Sequence, residues 1–346
     1  MSIPSLLRRW EAFAHFTDQQ LELLAPCVTH SRVPAGSLIV REGEPTLDAY
    51  LIESGEVRIQ RKTPYGSFNL ATLEPGDLFG ETSFVDKSAR SGDAMTISDT
   101  DLLTLSPEAL APAMESDQRL TLALHWAFWK SLSKKLRQTN DKLTQFFSET
   151  GKPANTQSAP PRDPSGEFRI DLAAKRKLFQ EQKLTNLEIN FMAALSKERK
   201  LPAQKVIFRE GDPGDEMYVV LEGRVMISKY IPGAGEEALA FLERGDYFGE
   251  MALIDNQPRS ADAKAHDGGA VILAIPREVL NGILDINRLS SLSLLKILCN
   301  LVATRLRELD DKIIGWFILA GGTGGTAGVG GVGSSGAPSP PIPRER

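Results

Sequence analysis

One stretch of this chain is written twice. Arg41 to Glu44 reads REGE and Arg209 to Asp212 reads REGD, 168 residues later, and Pro34 with Pro202, Tyr50 with Tyr218 and Gly55 with Gly223 keep the same offset. After one inserted residue the match resumes at an offset of 169, with GDLFGE at Gly76 to Glu81 answered by GDYFGE at Gly245 to Glu250, and Arg90-Ser91 by Arg259-Ser260. The N-terminal boundaries correspond too: Thr17 with Gln20 and Thr185 with Glu188 each form a capping-box pattern after an apolar Phe16 or Leu184. Self-similarity held in register over this span means one module built twice, so 346 residues divide into two like domains rather than one large core.

Inside each copy, short apolar runs alternate with glycine turns: SLIVREGE, AYLIESGEVRIQ and NLATLEPGDLFGE in the first, KVIFREGD, MYVVLEGRVMISKY and ALAFLERGDYFGE in the second. That grammar predicts six or more strands per copy, closed as a sandwich or roll. Each copy ends in a helix. Trp129, Leu132, Leu136, Thr139, Leu143 and Phe146 recur at spacings of three and four, as do Leu295, Cys299, Val302, Leu306, Leu309, Ile313 and Trp316. Each seam calls for a cover: its own β-roll, the other copy's helix, or a second chain. Cys299 on this stripe reads as a buried small hydrophobe.

Between the copies, Ser148 to Gly166 carries four prolines among small polar residues, and from Gly321 the chain reads GGTGGTAGVGGVGSSGAPSPPIPRER, dominated by glycine, proline and other small residues. These breaks give four expected segments: a first domain over 1–147, a flexible linker over 148–169, a second domain over 170–319 and a disordered tail over 320–346. The tail's GVGGVG, Gly328 to Gly333, matches a dinucleotide fingerprint in letters only. No strand precedes it and no helix follows.

A net charge of −5 gives no basic excess for a nucleic-acid surface or a polybasic membrane patch. The two cysteines, Cys27 and Cys299, form no framework, and the longest apolar run, Ile313 to Ala320, is less than half of a bilayer span. With no signal-like h-region at the N-terminus, the expectation is a cytoplasmic chain without a membrane span. His15, His30, His125 and His266 lack ligand spacing, and HExxH, GxSxG and Walker patterns are missing, so no metal site and no enzyme are expected. His30 and His125 read as surface or partly packed residues.

The run after the last glycine turn carries chemistry. In FGEMALIDNQPRSADAKA, Phe248 to Ala265, a glycine turn opens a short helix whose amides suit an anionic oxygen, and nine residues after Glu250 an arginine can neutralise a phosphate. A carboxylate beside that anion is repulsive unless it accepts from a sugar hydroxyl, so the pair suits a ribose phosphate. On these residues the sequence resembles the cyclic-nucleotide-binding domain family, which includes the bacterial catabolite activator protein, protein kinase A regulatory subunits and cyclic-nucleotide-gated channels. The resemblance covers about residues 13 to 147 and 180 to 318.

The resemblance implies a mainly β fold with flanking helices (α+β): two tandem β jelly rolls, each ending in a long C-terminal helix. It implies a second site of Gly249, Glu250, Met251, Ala252, Arg259, Ser260 and Leu309, with Glu250 accepting from the ribose 2′-hydroxyl, Arg259 on the cyclic phosphate, Ser260 bonding the phosphate and Ala252 offering its amide. The first site would use Gly80, Glu81, Thr82, Ser83, Arg90 and Ser91, with Thr139 and Asn140 of KLRQTNDKL standing where activator-like lids carry a Thr-Ser pair. Ala89 for the usual proline and Gly92 for the usual alanine loosen this first cassette. The second therefore has the better phosphate cassette and the first the more activator-like lid.

An Arg-Ser-Ala step resembles cAMP readers, so cAMP is the expected ligand, with cGMP the other candidate; no cofactor is implied. No helix-turn-helix follows either helix, so direct DNA binding is not expected. The expected output is a non-catalytic signalling protein that couples ligand to C-helix rearrangement and an unknown protein effector, with a homodimer through the C-terminal helices as a further expectation. Alternatives are a jelly-roll interaction scaffold that no longer binds nucleotide and a kinase-regulatory-subunit-like protein.

Overall fold

The computed structural model describes residues 2–148, 175–177, 192–231 and 235–319; apart from Ser148, the expected linker and tail lie outside the described residues, as does the Thr185–Glu188 capping box. The first capping box is formed: the Gln20 amide donates to Thr17 Oγ1 at 3.2 Å and the Thr17 amide to Gln20 Oε1 at 2.8 Å.

The first repeat is a jelly roll of two four-stranded antiparallel sheets. One runs in the order Val28–Val33, Thr100–Leu105, Ala49–Ser54, Leu78–Phe79; the other runs Leu38–Val40, Asp93–Thr96, Val57–Thr63, Gly66–Leu73. Between them Tyr50, Ile52, Val57, Leu73, Phe79 and Leu102 form a buried core. In the second repeat the corresponding strands run on as Glu216–Ile231 and Asp262–Pro276, which joins the two faces into one six-stranded sheet. Register is kept where it matters: Tyr50 lies opposite Phe79, and Tyr218 opposite Phe248. This pairing fixes the strand end from which each cassette glycine turns.

The two long helices, Gln118–Ser148 and Leu292–Leu319, cover each other's seams. Trp129, Leu132, Leu136 and Leu143 share one buried cluster with Leu295, Cys299, Val302, Leu306, Leu309 and Ile313, together with Met217, Val219 and Leu273 of the second roll. Of the three covers open to the seam, the chain uses its other repeat, so a homodimer would need another surface. The side chain of Phe146 lies outside the described residues. The second helix is long and apolar enough to cross a bilayer, although no apolar run predicts it; its apolar residues are largely those buried in this seam.

The helices run in the same direction. Cys299 Sγ donates to the His125 carbonyl at 3.3 Å near one end, and Asp310 faces Lys142 electrostatically near the other. Burial pushes the Cys299 thiol up, as an inert core cysteine requires. His125 corrects the sequence reading: it is buried, its Nδ1 lies 2.8 Å from the Thr121 carbonyl, and desolvation holds its imidazole down to about 4. A helix that packs on a second helix has no solvent face at this position, which a single repeat does not reveal.

The repeats are also clamped reciprocally. Arg137 Nη2 donates to Asp255 at 2.9 Å and Nη1 to the Pro258 carbonyl at 2.9 Å, from the first helix onto the second cassette. Arg307 Nε donates to Asp86 at 2.6 Å and Nη1 to the Ala89 carbonyl at 2.8 Å, from the second helix onto the first cassette. These arginines stand 170 residues apart in sequence. The chain is thus arranged like a two-fold pair of identical subunits, with both halves in one polypeptide.

Candidate ligand-binding sites

Each site begins where a strand ends in a left-handed glycine. Gly80 has φ +78° and Gly249 φ +75°, and an added Cβ would come within 2.7 Å of Arg90 Nη1 or 2.6 Å of Arg259 Nη1. Only glycine lets the backbone turn there with the guanidinium laid against it. The arginines are 4% and 5% exposed, and burial pushes both guanidinium groups down from the ordinary arginine range.

Their hydrogen bonds are related but not the same. Arg90 donates through Nη1 to the Gly80 carbonyl at 3.2 Å and through Nε to Thr46 Oγ1 at 2.9 Å. Arg259 donates through Nη1 to the Gly249 carbonyl and through Nη2 to the Glu216 carbonyl, both at 2.6 Å. Gly214 stands at the place of Thr46, where any Cβ would meet the Ala252 methyl at 2.2 Å, so the second arginine lacks that hydroxyl. Arg259 Nε is accordingly buried without a hydrogen-bond partner among the described residues, and in the first repeat it is Arg90 Nη2 that is left open.

The glutamates repeat the pattern from the acceptor side. Glu81 is fully buried and accepts through Oε1 from Lys135 Nζ and, at 2.8 Å, from Ser131 Oγ; Glu250 accepts through Oε1 from Arg305 Nη1 at 3.0 Å. Lys135 and Arg305 both come from the repeat's own long helix. In each case Oε2 has no partner among the described residues. A buried carboxylate oxygen and a buried guanidinium N–H left open in both repeats form a matched demand for a ligand carrying a hydroxyl donor and an anionic acceptor.

Two cavities lie over these groups. The first, of about 520 Å³, is lined by Gly80, Thr82, Ser83, Arg90, Ser91 and Thr139, with Glu81 buried outside its lining. The second, of about 70 Å³, takes in Gly249, Glu250, Met251, Ala252, Arg259, Ser260 and Leu309. Small-molecule pockets commonly measure about 300–1,000 Å³, so the first has room for a mononucleotide and the second is nearly closed. Phe208 is one reason. It lines the second cavity with its ring 4.3 Å from the Arg259 guanidinium, where the first repeat has Val40.

The lids depart from the sequence reading. Thr139 lines the first cavity as expected, but Asn140 lines the second, and Asp310 of the second helix lines the first. Leu136 and Leu306 cross in the same way. Successive residues on a helix point about 100° apart, so in two paired helices Thr139 faces its own roll while Asn140 faces its neighbour's. Sequence reasoning also missed Lys135 and Arg305. Their signal is the four-residue step to Thr139 and Leu309, repeated at the same 170-residue offset.

The model of the cyclic nucleotide-binding domain family matches residues 30–117 and 198–287. The chain belongs to the cyclic nucleotide-binding domain family. Both matched cyclic nucleotide-binding domains hold one of the sites just described. Among curated relatives, a cAMP-dependent protein kinase regulatory subunit from Emericella nidulans is 26% identical over 73% of this chain and 52% of its own length. A cGMP-dependent protein kinase from Caenorhabditis briggsae is 23% identical over 75% of this chain and 28% of its own length. The chain therefore spans about half or less of these relatives. A solved structure of the regulatory domain of Toxoplasma gondii PKA with cAMP is 19% identical, covers 84% of this chain and 93% of its own, and has a TM-score of 0.31. Among the described residues no group of three or more His, Cys, Asp and Glu could hold a metal ion.

Proposed function

We propose that this chain is a non-catalytic, two-site cyclic-nucleotide sensor of the cytoplasm that couples ligand binding to its paired long helices and through them to a protein effector. The observation that carries the reading is the open pair in each repeat: one buried carboxylate oxygen and one buried guanidinium N–H without a protein partner. Keeping such groups buried costs several kcal/mol if nothing ever meets them, on the order of about 1–3 kcal/mol for each unmet polar group. A cyclic phosphate accepting from Arg90 or Arg259, and a ribose hydroxyl donating to Glu81 or Glu250, would satisfy both at once. Ser91 and Ser260 border the same cavities and can donate to the phosphate. The Arg259-Ser260-Ala261 step favours cAMP at the second site.

The output follows from where the glutamates are held. Lys135 and Arg305 tie each glutamate to a long helix, so a ribose hydroxyl donating to the free carboxylate oxygen competes for the same anion that holds that helix. Each helix also clamps the other repeat's cassette through Arg137 or Arg307. Ligand in one site would then shift the equilibrium of the helix pair as a unit.

Thermal unfolding with and without nucleotide tests this. Saturating cAMP at about a hundred times its dissociation constant is expected to stabilise the chain by roughly 2.7 kcal/mol, a rise in Tm of several degrees. Linear 5′-AMP at the same concentration should do far less, since its phosphate carries a different charge and shape. No shift with cAMP or cGMP at millimolar concentration would leave the interaction-scaffold reading instead.

A further inference from the structure

We propose that the groove beside the strand Lys197–Leu201 of the second roll docks an extended acidic segment of a protein partner, and that nucleotide in the second site weakens this docking through Arg259. The docking surface stands on the groove itself; its control by nucleotide deepens the proposed function and rests on it. The groove, of about 1,310 Å³, is larger than either nucleotide cavity. Six basic side chains and four carboxylates line it, in a chain whose net charge is −5. The first repeat supplies the comparison. At the corresponding positions it carries two basic residues, Arg41 and Arg90, and three carboxylates, Glu44, Asp48 and Glu108. Lys197, Arg199 and Lys205 stand where it has Thr29, Ser31 and Ser37, and Arg277 where it has Pro107, so the basic charge belongs to one copy only.

The shape of the surface suits an extended segment. Lys197–Leu201 pairs along one side with Asp262–Pro276, and no strand pairs along its other side among the described residues. Successive residues of a strand face opposite ways, and Lys197, Arg199 and Leu201 are the ones that line the groove. A segment laid along the open side would bond to the backbone there and set its own alternate side chains over these residues, where carboxylates are complementary. Arg199 is already held by Glu216 at 2.7 Å. Lys197, Lys205 and Arg209 make no ion pair among the described residues, so their charge is available to a partner. Ile207 and Phe208 add apolar footing to the same groove.

Arg259 and Phe208 line both this groove and the second nucleotide cavity, and so form the wall between them. The unpartnered Arg259 Nε lies on the Gly214 side, where a Cβ would stand 3.4 Å from it, and Pro213 and Asp215 on either side of Gly214 line the groove. A partner's carboxylate therefore meets from outside the same cation that a cyclic phosphate meets from within. Whichever anion is bound neutralises the guanidinium for the other. Arg277 braces this wall, donating to the Gly214 carbonyl at 2.7 Å and to the Leu253 carbonyl of the cassette helix at 3.0 Å. In the first repeat Thr46 stands in place of Gly214 and accepts from Arg90 Nε, so that arginine is closed on this side.

Fluorescence polarisation of a labelled peptide of alternating glutamate and valine, titrated with the nucleotide-free full chain, tests the surface. The peptide should bind, weaken as salt is raised, and lose about tenfold or more in affinity when Lys197→Glu and Lys205→Glu are combined. Both lysines lie outside the nucleotide cavities, so this variant should bind cAMP as the unsubstituted chain does, which also reports that it is folded. Saturating cAMP should weaken peptide binding by about fivefold or more in the unsubstituted chain and have no effect on it in Arg259→Ala. Equal binding of a lysine–valine peptide, or glutamate-peptide binding untouched by the charge reversal, overturns the docking surface. So does stronger capture of phosphatidylserine vesicles or single-stranded DNA by the same lysines. Peptide binding indifferent to cAMP, in a chain that calorimetry shows to bind cAMP, overturns the link through Arg259 alone. A chain that binds the peptide but no cyclic nucleotide overturns the sensor reading and leaves the docking surface standing.

Discussion

Replacing Arg90 by alanine is expected to weaken nucleotide binding at the first site by two orders of magnitude or more, and Arg259→Ala to do the same at the second. Removing one partner of a desolvated, hydrogen-bonded charge pair typically costs about 2–5 kcal/mol of binding, which is roughly 30-fold to several thousand-fold. In each cavity the guanidinium is laid against the left-handed glycine, and its open N–H has no protein acceptor among the described residues. The same substitutions should leave the unliganded chain about as stable as before. Each removes a buried cation whose charge burial already disfavours, and whose protein bonds run chiefly to backbone carbonyls. Calorimetric titration beside a thermal melt separates the two effects: lost affinity with an unchanged Tm is the expected pair, and a collapsed Tm in both variants would mean the arginines serve the fold. The cavities add a kinetic contrast. The first, at about 520 Å³, can admit a nucleotide as it stands, whereas the second, at about 70 Å³, must open around Phe208 and Leu309. The phase lost in Arg259→Ala should be the slower one.

Trp129→Ala is expected to be the most destabilising single substitution in the helix pair, at about 3–5 kcal/mol. Trp129 is 1% exposed, heads the largest fully buried side chains, and belongs to the cluster that joins the first helix to the second roll and second helix. Its loss opens a cavity between repeats rather than inside one, so both domains should melt earlier. A fall in Tm of about 10 °C is the scale for a chain of this size. Trp126 lies next to it, with ring centroids 5.1 Å apart, but is only partly buried, and Trp126→Ala should cost clearly less. Equal and small effects of the two in urea denaturation would mean that the repeats do not share a core.

The parts of this structure legible in the sequence are those that one repeat determines by itself. The offset of Arg41 and Arg209, the glycine turns before Glu81 and Glu250, and the Thr17–Gln20 box are local patterns, and each has a local physical cause. The lids are not of that kind. Thr139 and Asn140 are neighbours in sequence and point to different sites, because where a helical residue lands depends on what the helix packs against. The seams announced a partner without naming it, and Asp310 lines the first cavity only because the second helix lies beside the first. His125 was misplaced for the same reason. The contrast in cavity size was also out of reach, since it turns on Phe208 against Val40 and Gly214 against Thr46, substitutions that look like ordinary variation between copies.

The central claim is that one chain holds two functional cyclic-nucleotide sites, and ligand stoichiometry tests it most directly. Equilibrium dialysis of the intact chain against labelled cyclic nucleotide, with cAMP and cGMP both supplied at saturating concentration, should return two nucleotides bound per chain. One bound in each of Arg90→Ala and Arg259→Ala, and none in the double variant, would complete the assignment. No nucleotide bound by the unsubstituted chain, or an occupancy indifferent to either arginine, would contradict it.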